Sequence, residues 1–290
     1  MTKHLMIIVL SLMLVIQAGI AQQFDEEQAV PAHEDNIEDA LSPEVADHIL
    51  NIFEEGQDFG NREHIFSKIG DSLTVSRRFL YPFGVGDYDT GDYAHLETII
   101  DTYSEKNARI GNSFINESLA AGEGWSANAV LNPHYANDGY CQPDESPLFC
   151  EYRLLRPSIA LIMFGTNDTG YRTGNEFEAD MQSIIHFTEG FGIIPVLSTI
   201  PNRPEFEHRV LLFNDIIRQL ASEHDLPLIE LYQETVTLAD YGLTWDNVHL
   251  SSPPIGSSAI FNRINLQYGY VVRNLATLEM LYAIHTLISA

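Results

Sequence analysis

Ser72 lies in "HIFSKIGDSLTVS" (residues 64–76), where an apolar stretch runs into a Gly-Asp-Ser turn. A serine hydroxyl becomes a useful nucleophile when a base accepts its proton and a third group orients that base. His249 is the candidate base, because an ordinary imidazole changes protonation near neutrality. Asp246 precedes it by three residues in "DNVH", a spacing that sets both side chains on one side of a helical turn. Its carboxylate would fix the imidazole tautomer and stabilise the imidazolium that forms. Such chemistry also needs donors aimed at the charge that develops on the substrate oxygen. The Ser72 backbone N–H, the Asn167 amide in "GTND" and the backbone at Gly124 in "GEGWSANAVL" are the candidates. Each residue has a plainer reading. Asp71 and Ser72 can simply cap a helix, Asn167 and Gly124 can serve turns, and "DNVH" can be a surface loop with a capping Asp.

The elements around these residues decide whether they can meet. Ile65, Phe66 and Ile69 suit a strand over 64–69, and Gly70 permits a sharp exit into a helix after Ser72. "SIALIMFG" (158–165), "GIIPVLSTI" (192–200) and "LPLIEL" (226–231) are apolar runs of strand length, as in parallel strands buried on both faces. Helical stretches over 176–189 and 205–224 separate them, and a long helix over 263–289 closes the chain. Strands alternating with helices imply right-handed crossovers and a parallel sheet in one α/β domain. Ligands of such sheets bind beyond the carboxyl ends of the strands. Ser72, Asn167 and the Asp246–His249 pair all follow strands there. Residues 79–95, rich in Gly, Asp and aromatics, read as a loop.

"GDSL" at residues 70–73, Gly124, "GTND" at 165–168 and "DNVH" at 246–249 together resemble the four blocks of the SGNH (GDSL) hydrolases, in that family's order. The resemblance covers most of the chain from about Arg62 to beyond His249. It implies a three-layer α/β/α sandwich, flavodoxin-like, with five parallel strands. It also implies metal-free, cofactor-free cleavage of esters, thioesters or O-acetyl groups. On this chain Ser72 would be the nucleophile, His249 the base and Asp246 its orienter, with Ser72, Gly124 and Asn167 forming the oxyanion hole. The "YPFG" loop and the acidic leader fall outside the family pattern. Trp125 and Trp245 flank the blocks and either wall an acyl or sugar pocket or pack in the core.

At 290 residues the chain can bury one sizeable core. Its start, "MTKHLMIIVLSLMLVIQAGIAQQ", has the layout of a signal peptide over 1–21. The alternative is an uncleaved anchor, for which the apolar run is short. An acidic leader with a short helix follows over 22–60, and the hydrolase-like domain spans 61–290. In the leader, Ser42-Pro43 starts a helix carrying Val45, Ala46, Ile49, Leu50 and Phe53 at helical spacing. The formal charge of −26 becomes −27 once Lys3 leaves with the signal. That balance repels nucleic acid and anionic membranes, and the partner the resemblance implies is a small-molecule or glycan ester. Two cysteines, Cys141 and Cys150, fit one local disulfide in an exported protein and make a poor zinc site.

Other classes fit less well. The Gly-x-Ser-x-Gly of an α/β-hydrolase does not occur. "GEGWSA" follows no convincing strand, so it is a poor dinucleotide fingerprint. An acyltransferase using the same residues and a non-catalytic glycan-binding protein remain as rivals. The reading that follows is a secreted serine esterase.

Overall fold

Ser42 and Pro43 start the first helix of the computed structural model, which describes residues 41–290. The expected signal peptide, and the expected acidic leader up to residue 40, lie outside the described residues. Ser42 accepts a hydrogen bond from the Val45 N–H at 3.3 Å, and Pro43 occupies the first turn, where its missing N–H costs nothing. The helix, α1 (Pro43–Asp58), buries Ile49 and Ile52. It is followed by β1 (Arg62–Gly70), α2 (Ser72–Val75), α3 (Tyr81–Gly84), α4 (Glu97–Glu105) and α5 (Pro147–Leu155). Then come β2 (Pro157–Met163), α6 (Gly174–Gly190), β3 (Ile194–Ser198), α7 (Glu207–Glu223), β4 (Leu228–Ile229), α8 (Leu231–Val236) and α9 (Gly269–Ile288).

The strands form one parallel sheet in the order β1-β2-β3-β4. β2 and β3 are buried along their whole length, which explains their unbroken apolar sequences. Helices flank the sheet. α9 packs on α1 and α4, while α6 pairs with α7, and Tyr152 of α5 hydrogen-bonds Thr188 of α6 at 2.8 Å. Phe177 and Phe213 stack across the α6–α7 contact with ring centroids 4.4 Å apart. Among the described residues, no helix is long and apolar enough to cross a membrane.

Among the described residues four strands form the sheet where the family resemblance implies five. The difference lies at the free edge of β1. There, residues 106–122 fold as an asparagine-rich loop whose backbone bonds go to side chains: Ile110 N–H donates to Asn116 and Ile115 N–H to Asn112. Such local Asx bonding competes with strand pairing. The loop still covers the edge. Phe66 N–H donates to Ser113 Oγ at 3.2 Å, the Lys68 ammonium to Phe114 O at 2.7 Å, and Gly70 exchanges backbone bonds with Ala120 and Gly122.

Cys141 and Cys150 form a disulfide. Beside it Glu145 makes a two-pronged ion pair with Arg153, at 2.6 and 2.7 Å. With the sulfurs bonded to each other, this cluster offers no thiolate to a metal. The bridge closes a loop of nine residues' separation, for which chain entropy gives about 2–3 kcal/mol. Replacing both cysteines by serine should therefore lower the melting temperature, at roughly 2–4 °C per kcal/mol for a domain of this size. Thermal melts of the two proteins check this; an unchanged midpoint contradicts it.

Candidate active site

β1 ends at Gly70, and the chain turns at once into α2, a helix of four residues beginning with Ser72. Asp71 is the N-cap, its carboxylate accepting the Leu73 N–H at 2.9 Å. The capping reading of the Asp-Ser pair therefore applies to Asp71, and Ser72 keeps its hydroxyl free of that duty. Gly70 is required here by space. A Cβ on it would stand 2.3 Å from Thr74 Oγ1 and 2.7 Å from Met163 O.

Ser72 Oγ lies 3.0 Å from His249 Nε2, across a sequence separation of 177 residues. His249 Nδ1 lies 2.8 Å from Asp246 Oδ2. The other carboxylate oxygen of Asp246 accepts from Thr244 Oγ1 at 2.7 Å, Val248 N–H at 2.9 Å and His249 N–H at 3.0 Å. Burial opposes the charge on Asp246, but these bonds outweigh it and hold the carboxyl well below the usual carboxylate range. An ionised carboxylate only accepts, so Nδ1 of His249 must carry the proton. Nε2 then presents a lone pair to the serine hydroxyl. This is the arrangement that serine activation requires. The loop that supplies it is closed on itself: Leu243 and Leu250 form an antiparallel bridge, and Thr244 N–H donates to His249 O at 2.7 Å.

Asn167 follows β2 and the turn at Gly165. One N–H of its amide donates to Trp125 O at 2.9 Å, and the Asp71 carboxylate lies 3.5 Å from the same nitrogen. The amide is thereby brought beside the Asp71–Ser72 turn with its rotation fixed. Gly124 is the third residue of a β-turn, with φ +72° and the Trp125 N–H donating to Gly122 O at 3.3 Å. It is exposed, and a Cβ there would meet nothing within 4 Å. The glycine that packing demands is its neighbour Gly122, where a Cβ would stand 2.2 Å from the Trp125 ring. Gly122 N–H also bonds Gly70 O at 3.1 Å, tying this turn to the end of β1. The two glycines are separated by one residue, and sequence alone does not rank them.

The tryptophans part company. Trp125 is half-buried, packed on the core and set edge-on to Tyr135 at 5.6 Å, whereas Trp245 is 94% exposed. A cavity of 370 Å³ opens elsewhere, against the disulfide loop, between Phe149, Tyr152, Phe187 and Phe191. None of the candidate site residues lines it.

Two buried acids stand beside the site, Asp71, which the sequence suggested only as a helix cap, and Asp168, to which it assigned no part. Burial pushes the Asp71 carboxyl up to about 6 and the Asp168 carboxyl up to about 7. Asp168 accepts the Ala127 N–H at 3.0 Å, which clamps the Trp125 segment to the Asn167 turn. Both acids stand inside the motifs that drew attention to Ser72 and Asn167, so the signal was present with no part in the chemistry attached.

No protein-family model matches the sequence, and no curated protein matches it either. Among solved structures, the chain is similar to a lipase/acylhydrolase from Enterococcus faecalis at 18% identity and TM-score 0.47, over 75% of this chain and 94% of that one. It is similar to an acetylxylan esterase from Geobacillus stearothermophilus at 18% identity and TM-score 0.47, over 74% of this chain and 93% of that one. It is similar also to a carbohydrate esterase family 3 protein from Talaromyces cellulolyticus at 12% identity and TM-score 0.49, over 74% of this chain and 97% of that one.

Proposed function

We propose that this chain is an exported serine hydrolase of SGNH type, cleaving short acyl groups such as O-acetyl from a carbohydrate through an acyl-enzyme. The observation that carries the reading is the unbroken relay Ser72–His249–Asp246, at 3.0 and 2.8 Å. Ser72 Oγ attacks the ester carbonyl carbon while its proton passes to His249 Nε2. The Ser72 N–H, the Gly124 N–H and the Asn167 N–H not bonded to Trp125 would receive the resulting oxyanion. The C–O bond to the alcohol breaks, and the alkoxide takes the proton from His249. Water then attacks the acyl-serine with His249 again as base, releasing the acid and restoring Ser72.

The sugar side of the reading rests on aromatic rings. Each of the three loops that supply site residues also carries one: Trp125 beside Gly124, Tyr171 after Asn167, and Trp245 next to Asp246. Tyr171 is 62% exposed and Trp245 94%, which leaves their ring faces open to a substrate. Flat ring faces suit a pyranose better than a polyanion suits a surface of charge −26. The disulfide fits an oxidising compartment.

A panel of p-nitrophenyl esters beside acetylated oligosaccharides tests this. The protein should hydrolyse acetyl esters of both kinds, with acyl transfer to water rather than to an added alcohol. Trp245→Ala should raise KM for the oligosaccharide about tenfold, or 1.4 kcal/mol, and leave p-nitrophenyl acetate unchanged. No hydrolysis of any panel member sinks the proposal, and acyl transfer chiefly to the alcohol favours an acyltransferase.

A further inference from the structure

Arg273 sits on α9, far from the sequence blocks above, and is only 3% exposed. Its guanidinium lies over the Phe79 ring, 3.6 Å from the centroid. One nitrogen donates to Leu73 O at 2.7 Å and another to Thr74 Oγ1 at 3.0 Å. Both acceptors belong to α2, the short helix that begins with Ser72. Burial lowers the guanidinium to about 10, with Tyr270 and Asp71 acting against that fall. A cation this deep opposes folding unless its donors are well used, and a methionine of similar length would fill the same space without that penalty.

Two neighbours on the same face of α9 do related work. Tyr270 Oη donates to Leu73 O at 3.3 Å. Asn274 accepts from Leu80 N–H at 2.9 Å and donates to Arg78 O at 2.9 Å. Residues 73–80 are thus gripped by three polar side chains at i, i+3 and i+4 of one helix. A four-residue helix is too short to hold its own geometry, so its position comes from such contacts.

We infer that Arg273 is a positioning residue for the nucleophile, its guanidinium fork fixing the Leu73–Thr74 end of α2 so that Ser72 Oγ stays within reach of His249. The site reading above supplies the reaction in which this matters. A fork is needed because a point charge could satisfy only one of the two acceptors firmly.

Two variants test it, Arg273→Met and Arg273→Lys, each checked for folding by near-UV circular dichroism. In Arg273→Met, amide hydrogen exchange over residues 72–79 should rise about tenfold while β2 and β3 keep their protection. Its kcat on p-nitrophenyl acetate should fall by roughly 10²-fold, the cost of a small misplacement, with KM within about threefold of the parent. Arg273→Lys should fall between the two and still lose part of the protection, since it keeps the charge but not the fork. Should Arg273→Met fail to fold, Arg273→Lys decides alone. Unchanged exchange over 72–79 in a folded variant overturns the inference, whatever happens to kcat. Raised exchange with an unchanged kcat overturns it too. If the parent protein hydrolyses no ester, the functional reading fails, and the exchange measurement still judges the grip of Arg273 on α2.

Discussion

Ser72→Ala should leave a folded protein whose ester hydrolysis is lower by roughly 10⁶-fold, the loss seen when a serine nucleophile is removed from a working relay. The fold should survive because the Ser72 side chain bonds only His249, whereas the helix cap is Asp71. Thermal melting should therefore move little while kcat collapses. A fluorophosphonate probe gives an independent measurement. The parent should gain one adduct, located on Ser72 by peptide mass, and Ser72→Ala should gain none. A folded Ser72→Ala protein with a rate within about tenfold of the parent would remove Ser72 from the mechanism.

The second large effect is expected at Asp246. An asparagine there keeps the shape but offers an N–H where the carboxylate accepted one. It can then stabilise the imidazole tautomer protonated on Nε2, which has no lone pair for the Ser72 hydroxyl. The expected loss in kcat is about 10⁴-fold. It should not multiply with the loss at Ser72: the double variant should be no slower than Ser72→Ala, because both residues act in one proton transfer. The direction of the Asp246 shift adds a constraint on pH. Its carboxyl is held well below the usual range by its hydrogen bonds against the cost of burial, so it stays ionised throughout mildly acid conditions. Stability contributed by such a group is present above the unfolded carboxyl's pKa and is lost only as pH falls through the lower, folded value. A loss of rate between pH 5 and pH 7 would therefore not come from protonation of Asp246. A wild-type rate in Asp246→Asn, or fully multiplicative losses in the double variant, contradict the relay.

The parts of the fold written in continuous apolar runs were legible in the sequence. β2 and β3 are buried on both faces, and "SIALIMF" and "IPVLS" carry no polar residue that would blur their limits except serine at an end. The Asp246–His249 pairing was legible from its spacing, but not as the helical turn expected: 246–249 are turn and bend, with Asn247 at φ +57°. It lies within one closed loop, so three residues of spacing largely determine the geometry. α4 and α5 were missed. "ETIIDTYSE" buries only Ile99, Ile100 and Tyr103, too few to stand out as a stripe. α5 starts at Ser146-Pro147, a capping signal hidden beside the disulfide loop. The fifth strand implied by resemblance is not formed because Asn112, Ser113 and Asn116 take up the backbone bonds that pairing would use. The choice between Gly122 and Gly124 depends on where the Trp125 ring lies, a contact that no local pattern encodes. Arg273 was invisible for the same reason. A lone arginine in a long helix reads as a solvated residue until the partner across the fold is known.

The grip of α9 on the nucleophile's helix has a consequence for the order in which activity arises. A chain made from its N-terminus produces Ser72 early, but Asp246, His249, Tyr270 and Arg273 come last. β1 and β2 can pair, and much of the sheet can form, while the serine remains an ordinary alcohol with no base beside it. On the proposed mechanism, reactivity would then arise at the end of folding, when the final helix docks. The same dependence makes the C-terminus a point of failure: a cut ahead of α9 would leave Ser72, Asp246 and His249 in the polypeptide but remove the three side chains that grip residues 73–80.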